Sequence, residues 1–133
     1  MNMCTTKVAE EVLRTSLAGD TERLLELMAP DVVVEWPYRP EGVPGELRGR
    51  QAFAAFVAEH GGAITFHEYT GVEMHQTLDP EVVIVEYTVH GTVTATGRPF
   101  EQRPVTVLRV RDGQVVTYRD YVNPLPVMEA LRL

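Results

Sequence analysis

Apolar positions change their period once along the chain, near residue 63. Before that point they recur at helical spacing, and after it they alternate. Val8, Val12, Leu13 and Leu17, with Glu10, Glu11 and Arg14 between them, predict a helix over residues 6–18. Gly19-Asp20 ends it, and Asp20 is placed to cap a second short helix carrying Leu24, Leu25, Leu27 and Met28, which Pro30 terminates. The β-branched run Asp31–Trp36 suits a strand. Residues 37–49 hold three prolines and three glycines, so they read as a long loop of the kind that forms lids or pocket walls. A third helix follows Gly49, with Phe53, Phe56, Val57 and His60 on one face and Gly61-Gly62 as its stop.

Four strand-like runs follow, roughly 63–78, 81–96, 99–111 and 114–123. Asp79-Pro80, Thr96-Gly97-Arg98 and Asp112-Gly113 separate them, and the last is a strong hairpin signal. A short helix is expected over 125–132, after Pro124. Helices first and hairpin-linked strands afterwards predict an α+β fold, a meander of antiparallel strands curled into a cone and closed by the helices. The 133 residues are expected to form a single domain with a pocket for a small organic molecule under the sheet.

Alternation also sorts the strand residues by face. In run 81–96, Val83, Val85, Tyr87, Val89 and Val93 share one face, while Val82, Ile84, Glu86, Thr88, His90 and Thr92 share the other. The first set is an apolar stripe that needs covering, and a partner subunit is one candidate cover. In the last strand Val116, Tyr118, Asp120 and Val122 share a face opposite Thr117, Arg119 and Tyr121. Asp120 thus sits among apolar neighbours. Inside, desolvation would raise its pKa into the range of a general acid/base; at a sheet edge it would be a plain partner for Arg119, Arg103 or Arg109. His90 carries the same two readings, structural or basic. His60 and His67 are expected to be exposed, and His75 is left open. Trp36 and Tyr38 either wall a flat ligand or staple the loop to the core.

Composition narrows the partners. The net charge is -7 and no Lys/Arg cluster occurs, so nucleic acid is an unsuitable partner. No stretch is long and apolar enough for a signal peptide or a membrane span, which makes the cytoplasm the default expectation. The single cysteine, Cys4, excludes a disulfide within the chain and a cysteine-based zinc site. No His-x-Glu-x-x-His or comparable spacing occurs, so no metal is expected. No nucleophile elbow or phosphate loop occurs either.

Several phrases, in this order and spacing, resemble the nuclear-transport-factor-2-like superfamily, in particular its SnoaL-like polyketide-cyclase branch. They are the opening helix pair, Leu27-Met28-Ala29-Pro30-Asp31-Val32, Gly49-Arg50-Gln51-Ala52-Phe53 at the start of the third helix, and Asp112-Gly113-Gln114-Val115 at the last hairpin. Val85–Gly91 and Tyr118–Pro124 are similar to segments of the phenazine-biosynthesis A/B proteins. That likeness implies a proton-transfer role for Asp120, although the family's histidine on the third helix is replaced, with Phe56 near its place. The resemblance implies a cone-shaped barrel, a homodimer through the outer sheet face and an enzyme that needs no cofactor.

The resulting expectation is an isomerase, cyclase or dehydratase acting on a small apolar carbonyl compound, with Asp120 as general acid/base. Tyr38, Tyr118, Tyr69 or His90 would donate to a developing enolate oxygen. Trp36, Phe53, Phe56 and Val57 would supply the apolar wall, with Glu86 and Arg103 also in the pocket. Arg119 and Arg103 would anchor a substrate carboxylate or hold Asp120. The alternative is a ligand-binding or dimerisation module of the same shape without chemistry. An epoxide-hydrolase-like Asp-Arg-Asp set is a third possibility, with Asp31, Glu35 or Glu73 as second carboxylate.

Overall fold

A computed structural model describes residues 4–131, so Met1–Met3 and the last two residues of the expected C-terminal helix and tail lie outside the described residues. The first helix, α1 (Thr5–Ala18), buries Val8, Ala9, Val12 and Thr15 on one face. Thr15 is fully enclosed because its hydroxyl donates back to the Glu11 carbonyl at 2.8 Å, which leaves no polar atom orphaned. Gly19, at φ 70°, closes the helix in a conformation that glycine adopts without strain. Asp20 accepts from the Arg23 amide and starts α2 (Thr21–Glu26).

Pro30 does not end that helix. The chain is already extended at Met28, the start of β1 (Met28–Glu35). Proline fits there because the ladder from β1 to the last strand is interrupted between Met28 and Val33, so no hydrogen bond is lost. The loop after β1 is pinched by the Trp36 amide donating to the Gly45 carbonyl at 2.8 Å, and a short β2 (Glu46–Arg48) follows. Next comes α3 (Arg50–His60), anchored by the Arg50 guanidinium on the Met28 carbonyl at 2.6 and 2.9 Å.

The second half forms β3 (Ile64–Gln76), β4 (Val82–Val93), β5 (Pro99–Gln102), β6 (Val105–Arg111), β7 (Gln114–Tyr121) and α4 (Pro124–Leu131). The expected run 99–111 is interrupted at Arg103-Pro104, where proline cannot donate to the ladder. The register is nonetheless continuous: Val89 opposes Gln102, and Glu86 opposes Val105. The sheet order is β2-β1-β7-β6-β4-β3, with β5 beside β4. The sheet is mixed rather than purely antiparallel, because β1 and β7 run parallel. Strands far apart in sequence meet there, which no local turn signal encodes.

The stripe Val83, Val85, Tyr87 and Val89 lies inside. It packs with Val8, Val12, Val32, Val34, Leu108 and Val115 in one core, under α1. The chain covers this stripe itself, so the stripe is not the outer face through which a homodimer was expected. Parity also slips in β7. An irregularity opposite Arg109 and Val110 places an extra residue between Val115 and Thr117. That bulge brings Val115, not Val116, into the core beside Tyr118.

Candidate functional site

The core does not fill the cone. Between the concave sheet face, the loop after β1, α3 and α4 lies a cavity of about 410 Å³, a size that suits a small organic ligand. Trp36 and Phe56 form one wall, their ring centres 4.8 Å apart. Tyr69 and Tyr87 form another at 5.0 Å. Tyr38, Arg39, Val43 and Pro44 come from the loop, and Val127 and Ala130 from α4.

Asp120 faces this hollow from β7. It stands directly opposite Thr106 of β6, whose hydroxyl donates to its carboxylate at 3.2 Å. Desolvation raises its pKa from 3.8 to about 6, and the Thr106 hydrogen bond opposes that rise. Among the described residues no arginine holds it. Arg119 points to the other face and pairs with Glu35 at 2.7 Å, and Arg109 pairs with Asp79 and Glu81 at 2.9 and 3.0 Å. Three phenols surround the carboxyl group. Burial pushes Tyr69 up to about 12 and lifts Tyr87 and Tyr118 further, and in each case the negative charge of Asp120 adds to the rise. The Tyr69 and Tyr118 hydroxyls have no hydrogen-bond partner among the described residues. Since no fully buried polar side-chain atom there is left unpaired, both hydroxyls open onto the cavity.

The expected site residues divide three ways. Asp120, Tyr38, Trp36, Phe56, Tyr69 and Tyr118 line the cavity. Phe53 and Val57 belong to the core beneath it, Phe53 with its ring 6.2 Å from that of Tyr118. His90 and Glu86 are corrections: they lie on the outer face of β4, where His90 bonds Thr70 at 2.8 Å and Glu86 bonds His75 at 2.7 Å. Parity separates the two faces of a strand but does not say which is inside. Arg103 is also a correction, exposed beside Pro104 and off the cavity wall. The Asp-Arg-Asp set is not assembled, because Glu35 is taken by Arg119 on the outer side and Asp31 and Glu73 are exposed.

Tyr87, Thr106, Arg39 and His60 were missed as parts of the site. Tyr87 shares its parity with the stripe that turned out to be internal, which was the available signal. His60, expected to be merely exposed, stacks on Phe56 at 4.7 Å and lines the cavity. On the outer face, Glu73, His75 and Glu86 bring three possible metal-ligand atoms within 4.8 Å of one another, on exposed side chains. Strand pairing made that group, since the sequence separates Glu86 from the other two.

The SnoaL-like domain model matches residues 9–118. The "Uncharacterized PhzA/B-like protein PA3332" of Pseudomonas aeruginosa is 36% identical over 127 residues, covering 92% of this chain and 89% of that protein. A Bacillus subtilis protein provisionally designated an isomerase superposes with a TM-score of 0.90 at 32% identity, covering 96% of this chain and 92% of that one. RV0760c from Mycobacterium tuberculosis, solved in complex with estradiol-17beta-hemisuccinate, gives 0.74 at 27% identity, covering 90% and 93%. A family match spanning most of the sheet and helices, joined to a relative of this identity and coverage, settles the kinship: this chain belongs to the SnoaL-like domain family.

Proposed function

We propose that the chain is a cofactor-independent enzyme that shifts a proton next to a carbonyl group, as in an isomerisation, cyclisation or dehydration of a small apolar compound. Asp120 is the general acid/base. The observation that carries this reading is one carboxyl group at the wall of a largely apolar and aromatic hollow, with its pKa lifted to about 6. At neutral pH such a group is mostly ionised and accepts a proton, and its conjugate acid is weak enough to hold that proton until it is returned. Asp120 takes the proton from the carbon beside the carbonyl. The electron pair moves toward the carbonyl oxygen, and Tyr118 or Tyr69 donates a hydrogen bond to it. Tyr38, at the mouth, is a further donor. Return of the proton to another carbon gives the isomer.

The test uses 2-tetralone in deuterated buffer, with loss of its acidic α-protons followed by NMR. The native protein is expected to accelerate exchange, and Asp120→Asn to lower that rate by about 10²–10⁴-fold with an unchanged circular dichroism spectrum. A variant as fast as the native protein would sink the general-base role. A second reading, a non-catalytic ligand-binding module, is favoured by the complex of RV0760c with a steroid ester and by the lack of a second carboxylate on the cavity wall among the described residues. It expects no exchange from the native protein. The proposal extends to a cytoplasmic homodimer joined through the outer sheet face, where half-buried Ile84 and Val107 oppose one another. Phenazine-type chemistry is its narrowest form, supported by the PhzA/B-like relative.

A further inference from the structure

We infer that the cavity takes an anionic ligand, a flat compound bearing a carboxylate, and that Arg39 at the cavity mouth binds that carboxylate. This deepens the functional reading above and rests on the same hollow.

The chain carries 19 acidic residues against 12 lysines and arginines, so a basic side chain has ample choice of partners. Almost all take one. Every described arginine other than Arg39 and Arg103 is held by a carboxylate or, for Arg50, by a backbone carbonyl. Of the two left over, only Arg39 lines the cavity. It stands in the loop whose ends are clamped by the bond from Trp36 to Gly45, and its side chain lies against Gly45. A Cβ on Gly45 would fall 2.6 Å from the Arg39 Nε and 3.1 Å from its Cζ. The absent side chain at Gly45 leaves room for the guanidinium to lie there without shifting.

Arg39 does not neutralise the carboxyl group inside. The acidity of Asp120 is set by burial and by Thr106, with no contribution from a cation. A cation and a carboxyl group thus line one cavity without an ion pair between them. On the walls of that cavity the aromatic pairs Trp36/Phe56 and Tyr69/Tyr87 supply flat apolar surfaces. A ligand that satisfies all three is planar, carries its reacting carbon toward Asp120 and presents an anion at the mouth. A carboxylate matches the planar fork of a guanidinium. Arg39 is exposed, so the gain is modest, about tenfold in affinity.

The experiment compares 2-naphthol with 6-hydroxy-2-naphthoate, both followed by their own fluorescence at low salt. The native protein is expected to bind the naphthoate about tenfold more tightly. Arg39→Gln is expected to erase that preference, with the loss falling mainly on the naphthoate, and Arg39→Lys to restore part of it. Equal affinity of the native protein for both probes, or a preference that survives in Arg39→Gln, would overturn the anion site. Failure of both probes to bind would remove the ligand cavity and this inference together. The catalytic reading stands or falls separately: tetralone exchange that depends on Asp120 without any anion preference sinks only the Arg39 role, and the converse result sinks only the catalysis.

Discussion

The acidity of Asp120 is a contest between two neighbours of unequal strength. The apolar hollow disfavours the carboxylate, and the single Thr106 hydroxyl favours it. Thr106 is itself 2% exposed, so its hydroxyl is tied up on the protein side of the carboxylate rather than in bulk solvent. Thr106→Val keeps the shape of the side chain and removes the bond. The pKa of Asp120 is then expected to rise by about one unit, the low end for a hydrogen bond to a charged group because 3.2 Å is long. The variant should shift the acidic limb of the exchange–pH profile upward, and Thr106→Ser should move it back. A carboxyl resonance that titrates at the same pH in all three proteins would show that the bond is not formed in solution. Asp120 was legible as a candidate because alternation set it beside Tyr118 and Val122. Thr106 was not, because a cross-strand partner depends on register, and the register between β6 and β7 emerges only when both strands are in place.

At the scale of the elements, the backbone signals with a local cause were readable. Asp112 at φ 52° and Gly113 at φ 76° make the tight turn that an Asp-Gly pair between alternating strands predicts. The helices followed from their spacing, and the third one starts where Gly49 said it would. Features with a non-local cause were hidden: the parallel pairing of β1 with β7, the bulge that admits Val115 to the core, and the strand that runs through Pro30. Gly91 belongs to the hidden kind. It sits inside β4, where a glycine ordinarily weakens a strand, yet a Cβ there would lie 2.5 Å from the Thr65 carbonyl oxygen of β3. That atom is backbone and cannot swing aside. Gly91→Ala should therefore force β3 away from β4 and destabilise the fold by about 1–3 kcal/mol, read as a lower urea midpoint with an unchanged slope. A midpoint equal to the native one would mean that the two strands have more slack than this approach allows.

Across the whole molecule, the same arrangement that leaves a hollow also leaves a charge in it. The sign of the resulting pH dependence follows from the direction of the shift. Folding raises the pKa of Asp120 from an ordinary 3.8 to about 6, so the folded chain binds this proton more firmly than the unfolded chain does. The contribution to stability is fully present below about pH 4. It is lost as pH rises through about 6, and it stays lost above that. An asparagine amide in its place has no such proton to lose. Asp120→Asn is therefore expected to be more stable than the native protein at pH 8, by on the order of 1–3 kcal/mol since two pKa units bound the effect and the cavity keeps the group partly solvated. At pH 4 the two proteins should melt together. Thermal unfolding at a series of pH values between these limits reads the effect directly, and it needs no substrate. A difference in Tm that stays constant from pH 4 to 8 would mean that Asp120 titrates alike in the folded and unfolded chains, and that the hollow beneath the sheet is as wet as bulk solvent.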